Sequence, residues 1–270
     1  MKKRIYKYKI ISLLFVVSVL FISIYSYYEY RFHFSENLYD KDFFNPKKGT
    51  DKILKIGIIG DSWVEYGSLD SIIQSKFKQK NIKSHIIASG QQGATTREIY
   101  QNLYKSKNDI YSSKKVIDQH PRYCIIISGV NDTNKQMGKK YYAYHLKLII
   151  ETLMKEGIIP IVVSIPHYGI IEEYEQFSKL KQLRFKIFAM LNNKGNLDNI
   201  DDYNEYFNNS LEKNLYKDSM FYFNINAVVP NYKNNLNLFN DHLHLNLQGK
   251  EILGINLINQ IEILEQTDFR

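Results

Sequence analysis

The chain has 270 residues, 44% of them hydrophobic and 24% charged, a globular composition with enough length to bury one large core. Its formal charge of +8 points to nucleic acid or another anionic surface only until the cations are located. Five of the 36 Lys and Arg lie in the first nine residues, at Lys2, Lys3, Arg4, Lys7 and Lys9, and the remaining 31 face 28 acidic side chains, a balance of +3 that needs no nucleic-acid patch. Cys124 is the sole cysteine, which excludes an intramolecular disulfide and a multi-cysteine metal site. Its place in the apolar run Cys124-Ile125-Ile126-Ile127 predicts a buried thiol.

Residues 1–9 read as a basic cytoplasmic segment. Residues 10–28 form a 19-residue stretch without a charge, long enough as a helix to cross a hydrocarbon layer of roughly 30 Å. With the basic flank first, the positive-inside rule leaves the N-terminus in the cytoplasm and everything after Tyr28 outside, with Tyr25, Tyr27, Tyr28 and Tyr30 suited to the outer interface. The expectation is a single-pass signal anchor in the cell membrane. A cleaved signal peptide is the alternative, but no Ala-x-Ala-like site follows the apolar run. Residues 29–51 are polar and aromatic, contain Pro46-Lys47-Lys48-Gly49, and read as a linker. A folded domain is expected over 52–270.

Within that domain short apolar runs predict strands at 53–59, 82–88, 123–128, 158–165 and 220–225. Helical patterns are expected at 67–79, 96–118, 139–156, 171–192 and 247–264. Strands and helices alternate, and the strands are apolar throughout, so the fold class is α/β, a parallel sheet covered on both faces. On such a sheet ligands bind beyond the carboxyl ends of the strands, near the point where strand order reverses. The polar clusters occupy those positions. They are Gly60-Asp61-Ser62-Trp63, Gly90-Gln91-Gln92-Gly93-Ala94-Thr95 and Gly129-Val130-Asn131-Asp132, with Asp241-His242-Leu243-His244 before the last helix.

A serine hydroxyl is a weak nucleophile and needs a base, and the base needs an orienting group. Asp241 and His244, three residues apart, suit those two roles for Ser62. Attack on an ester creates an oxyanion, for which the candidate donors are the N–H groups of Ser62 and Gly93 and the side-chain amide of Asn131. Three readings compete with this one. Asp61 and Ser62 suit a helix cap, Gly129 and Asn131 suit a turn, and Asp241, His242 and His244 have metal-ligand chemistry.

Taken together, the four clusters resemble the SGNH/GDSL hydrolases, whose conserved blocks contribute Ser, Gly, Asn and His in this order. Gly60-Asp61-Ser62 corresponds to the first block, Gly93-Ala94-Thr95 to the second, Gly129-Val130-Asn131-Asp132 to the third, and Asp241-His242-Leu243-His244-Leu245-Asn246 to the fourth. The resemblance implies a three-layer, flavodoxin-like α/β/α sandwich with about five parallel strands. It also implies ester hydrolysis without metal or other cofactor. Two positions depart from the pattern: Trp63 stands where an aliphatic residue is usual, and Gly90 competes with Gly93 for the second block. The elbow Gly-x-Ser-x-Gly of the α/β-hydrolases is absent.

The expected function is removal of short acyl groups, O-acetyl above all, from a surface or periplasmic glycan. Two alternatives stay open. One is an O-acyltransferase served by a membrane-bound acyltransferase partner, and the other is a lipid esterase or lysophospholipase. In the Tyr- and Asn-rich stretch 167–240 some aromatics suit a sugar platform, while most read as core or surface filling.

Overall fold

A computed structural model describes residues 2–33, 53–212 and 219–266. The chain divides into two compact units, residues 1–40 and 41–270. In the first, helix α1 runs over Lys2–Phe32. Its apolar part, Lys9–Phe32, has a mean hydropathy of 2.3 and is long enough to cross a membrane. The helix therefore begins before and ends after the apolar stretch 10–28, because backbone hydrogen bonding continues through charged residues that hydropathy excludes. Most of the expected linker, residues 34–51, lies outside the described residues.

The second unit holds five strands and ten helices among its described residues. In chain order they are β1 (Leu54–Gly60), α2 (Ser62–Glu65), α3 (Leu69–Gln79), β2 (Ser84–Gly90), α4 (Thr96–Asn102), α5 (Lys114–Ile117), β3 (Tyr123–Ile127) and α6 (Val130–Asn134). There follow α7 (Lys139–Lys155), β4 (Ile159–Val163), α8 (Ile170–Glu175), α9 (Lys179–Asn193), α10 (Ile200–Glu212), β5 (Phe221–Phe223) and α11 (Leu247–Gln266). The strands pair in the order β2-β1-β3-β4-β5, and every pairing is parallel. Ile56, Ile58 and Ile59 on β1 and Ile125 and Ile126 on β3 are fully buried. Each such side chain contributes roughly 1.5–3 kcal/mol of transfer free energy.

Strand order reverses between β1 and β3, so right-handed crossovers carry the helices to both faces. Helix α11 packs beside α3, while α7 packs against α4 and α10. Helical periodicity explains these faces: Tyr142, Leu146, Ile149, Ile150 and Leu153 line the buried side of α7, and Leu253, Leu257, Ile258, Ile261 and Leu264 that of α11.

All five expected strands form, with ends shifted by up to two residues. Two helical expectations need correction, and one long helix has no counterpart among them. The single helix over 96–118 is two short ones, because the polar turn residues between them close on themselves: the Ser113 N–H bonds to the Asn102 carbonyl at 2.9 Å and Asp109 accepts from the Tyr111 N–H at 2.8 Å. The helix over 171–192 is broken before Lys179, where Ser178 caps α9 by accepting from the Lys181 N–H at 3.5 Å. Helix α10 was not expected, although Ile200, Tyr203, Phe207 and Leu211 repeat at helical spacing and are buried. Its Asn204 clamps the end of β4, accepting from the Ile165 N–H and donating to the Ile165 carbonyl, both at 2.9 Å.

Candidate active site

The turn after β1 starts at the switch point of the sheet. Asp61 is the N-cap of α2, and its Oδ1 accepts from the Trp63 N–H at 3.0 Å. Ser62 is therefore the first residue of a helix, where a backbone N–H has no intrahelical acceptor. The capping expectation for Asp61 holds alongside any chemistry at Ser62. Asp61 is fully buried, and burial pushes its carboxyl up to about 7 against the lowering effect of the Trp63 N–H, with the nearby Asp132 carboxylate adding to the rise.

Ser62 and His244 are 182 residues apart in sequence, yet Ser62 Oγ lies 2.9 Å from His244 Nε2. On the other side of the ring, Nδ1 lies 2.8 Å from Asp241 Oδ2 and 3.0 Å from Oδ1. These partners assign the tautomer: Nδ1 carries the proton and donates to the carboxylate, while Nε2 accepts from the serine. The Asp241 carboxylate also accepts from the N–H groups of Leu243 and His244, each at 2.7 Å. Partial burial alone raises the Asp241 carboxyl, but the His244 ring and these two amides outweigh it and hold it below its ordinary value. The ring of Tyr66 meets His244 edge-on with centroids 5.3 Å apart.

His242 is turned elsewhere. Its ring packs edge-on against Tyr232 at 5.7 Å, and its Nδ1 lies 3.9 Å from Glu173. Among the described residues no group of three or more His, Cys, Asp or Glu is placed to hold a metal ion. The metal-ligand reading of Asp241, His242 and His244 thus lacks converging donors.

The second and third loops meet the first through hydrogen bonds. The Gln92 N–H donates to Glu65 Oε2, and Asn131 Nδ2 donates to Asp61 Oδ2 at 3.3 Å. The two competing glycines do different jobs. A Cβ on Gly90 would lie 2.3 Å from the Glu65 nitrogen and 2.7 Å from the Asp61 carbonyl oxygen, so its bareness lets α2 pack on the end of β2. Gly93 has a left-handed φ of +70° and open space where a Cβ would stand. Its carbonyl accepts from Lys135 Nζ at 2.5 Å. Asp132 is fully buried and accepts from the Thr96 N–H at 2.9 Å and from its hydroxyl at 2.7 Å, which ties the second loop to the third.

A cavity of about 500 Å³ opens over Ser62 and His244, lined besides them by Trp63, Tyr66, Gln92, Asn240, Asp241, Leu245 and Lys250. Gly93 and Asn131 are not among its lining residues. Sequence reasoning missed Tyr66, Gln92, Asn240 and Lys250 as wall residues. Lys250 is three residues into α11, and only the fold shows its ammonium donating to the Gly67 carbonyl at 3.1 Å.

No protein-family model matches the sequence, and no curated protein matches it either. Solved structures do. An acetyl xylan esterase superposes with a TM-score of 0.55 at 16% identity, covering 77% of this chain and 99% of its own. A GDSL-like lipase from Bacteroides thetaiotaomicron gives 0.53 at 15% identity, covering 78% and 89%. The chain has the SGNH/GDSL hydrolase fold. A psychrotrophic esterase from Pseudoalteromonas sp. carries the same fold, with a TM-score of 0.54 at 15% identity over 79% of this chain and 99% of the other. In this SGNH/GDSL fold the reversal point lies between β1 and β3, and Ser62 and Asn131 follow those two strands.

Proposed function

We propose that this protein is a serine ester hydrolase acting through an acyl-enzyme on Ser62. The observation that carries the reading is the continuous chain from Ser62 Oγ through the His244 ring to the Asp241 carboxylate, at 2.9 Å and 2.8 Å, beside an open cavity. Nε2 of His244 takes the Ser62 proton as Oγ attacks the acyl carbon, and Asp241 stabilises the imidazolium that forms. The oxyanion is received by the Ser62 N–H, the Gly93 N–H and the amide of Asn131. His244 then returns the proton to the departing alcohol, and water repeats the sequence to release the acid.

The substrate in this reading is a short acyl ester, O-acetyl on a glycan. Support comes from the wall of the cavity, which mixes aromatic faces, Trp63 and Tyr66, with amides, Gln92 and Asn240, as a sugar surface requires. An acetyl xylan esterase among the similar folds agrees with it. In the same reading α1 anchors the chain in the cell membrane, with the hydrolase unit outside the cytoplasm. The basic residues before the apolar stretch support that orientation.

The full-length protein should hydrolyse p-nitrophenyl acetate faster than p-nitrophenyl octanoate and release acetate from acetylated xylan. A fluorophosphonate should label it at Ser62. Label on another residue, or wild-type turnover in folded Ser62→Ala, would overturn the assignment. Faster release from the octanoate would leave the nucleophile standing and replace the short-acyl reading by a lipid one.

A further inference from the structure

Helix α9 is amphipathic on the wrong side. It is attached to the core by one narrow edge, Phe185, Ala189 and Asn193, which is buried. Five large apolar side chains on the same helix face solvent: Leu180 is 78% exposed, Leu183 56%, Ile187 44%, Met190 72% and Leu191 60%. At 3.6 residues per turn these five fall within an arc of about 100°, opposite the buried edge. A contiguous stripe of this kind marks an interaction surface, whereas scattered exposed apolar residues do not.

The charges beside the stripe say what kind of surface it meets. Lys179 and Lys186 flank it on one side and Arg184 and Lys181 on the other, with Lys194 at the end, and no acidic residue occurs from Gln176 to Leu197. Lys181 and Arg184 lie over the rings of Phe177 and Phe188, with 3.5 Å and 5.3 Å to the ring centroids, so their stems run along the helix and cover apolar surface. An apolar stripe rimmed by cations on both sides is the pattern of a helix lying in the interface of an anionic bilayer. A second copy of the chain fits less well, since a two-fold contact through α9 would set these cations against their own copies.

We propose that α9 docks on an anionic phospholipid surface, its five apolar side chains entering the headgroup boundary and its lysines facing lipid phosphates. The apolar helix α1 bears on this independently. The 19 residues between His33 and Ile53 span at most roughly 65–70 Å, so a membrane that holds α1 keeps the hydrolase unit within reach of the same bilayer. Docking there would hold the catalytic unit at the membrane surface without depending on what ester it cleaves.

The test uses the full-length protein reconstituted in vesicles. Cys124 is buried, so a cysteine introduced as Met190→Cys takes an environment-sensitive fluorophore selectively, and Lys78→Cys, at an exposed position of α3, provides the control. The vesicles carry a nitroxide-labelled lipid in phosphatidylcholine, with or without about a third phosphatidylglycerol. Quenching at position 190, absent at position 78, is expected with phosphatidylglycerol, and it should fade near 1 M salt, where the screening length is about 3 Å. Lys179→Glu and Lys186→Glu should each lower the docked fraction at least about fivefold, with hydrolysis of p-nitrophenyl acetate unchanged. Equal quenching in the two vesicle types, no quenching in either, or burial of the position 190 probe that follows protein density without lipid quenching would overturn the proposal. The last result would identify a second copy as the occupant. Because the probe reads depth in the bilayer, the outcome is independent of whether the Ser62 reading survives.

Discussion

The side-chain amide of Asn131 donates to Oδ2 of Asp61 at 3.3 Å, joining α6 to the buried carboxylate that caps the helix of Ser62. One N–H of that amide is thus committed to the fold, and in the proposed mechanism the second receives the oxyanion. Asn131→Ala should lower kcat by roughly 10²–10³ with little change in KM. The pH profile should keep its shape, because the amide does not ionise. Loss of the bond to Asp61 should also destabilise the fold by about 1–3 kcal/mol. Melting temperature and turnover measured on the same preparations separate the two effects. Normal turnover per folded molecule would confine Asn131 to holding Asp61.

Asp241→Asn is expected to act differently. The Asp241 carboxylate accepts from the His244 ring and from two backbone amides, and in the proposed mechanism the first of these bonds stabilises the imidazolium of the transition state. Asparagine keeps an acceptor for the amides but loses the charge and permits the wrong ring tautomer. A fall in kcat of up to about 10⁴ is expected, together with a displaced pH profile. Steady-state rates across pH, compared with those of Asn131→Ala, check it. Profiles that coincide would remove Asp241 from the proton-transfer unit.

The two glycines offer a second contrast. Gly90→Ala places a Cβ 2.3 Å from the backbone nitrogen of Glu65, so it should displace α2 and lower both stability and activity. Gly93→Ala meets open space and carries mainly the left-handed backbone penalty, about 1–2 kcal/mol. The protein should fold, and any loss of kcat beyond that expected from the unfolded fraction reports on the N–H at position 93. Thermal melts paired with acyl-enzyme burst amplitudes measure both. A folded Gly90→Ala enzyme of normal activity would reverse the assignment of the two positions.

Acid–base linkage predicts an unusual stability profile. Burial pushes the Asp132 carboxyl up to about 7, against the lowering hydrogen bonds from Thr96. A folded-state value above the ordinary 3.8 means that the native protein holds this proton more tightly than the unfolded chain does. The stabilisation is complete below 3.8 and is lost as pH rises through about 7. Asp61 titrates in the same direction. Asp132→Asn should flatten the decline of melting temperature over this window, and an unchanged slope would show that Asp132 is already ionised in the folded state.

Four loops could be proposed as one site without coordinates, because each follows a recognisable apolar strand or precedes a periodic helix and their order resembles the four SGNH/GDSL blocks. The strands were legible for the same reason: in a sheet covered on both faces, runs such as Cys124-Ile125-Ile126-Ile127 have no polar alternation to obscure them. Breaks inside helices were not, since a Ser such as Ser178 continues a helix or caps a new one depending on what its side chain finds. Helix α10 was overlooked among Tyr and Asn residues whose burial depends on contacts far away in sequence.

What the sequence by itself determined is the chemistry on offer: a serine, an acid–histidine pair, an amide and two glycines, on an alternating α/β chain with an apolar N-terminal stretch. Only the tertiary structure decided which of them meet. Bringing Ser62 within 2.9 Å of a histidine 182 residues away is the work of strand order and crossover hand, and no local pattern encodes that distance. The same packing turned His242 towards Tyr232 and Glu173, and gave Gly90 to the fold while leaving open space beside Gly93. It also left the apolar stripe of α9 facing outwards, because a helix with two apolar edges can bury only one of them, here with Phe185 against Tyr174 of α8 and Phe177.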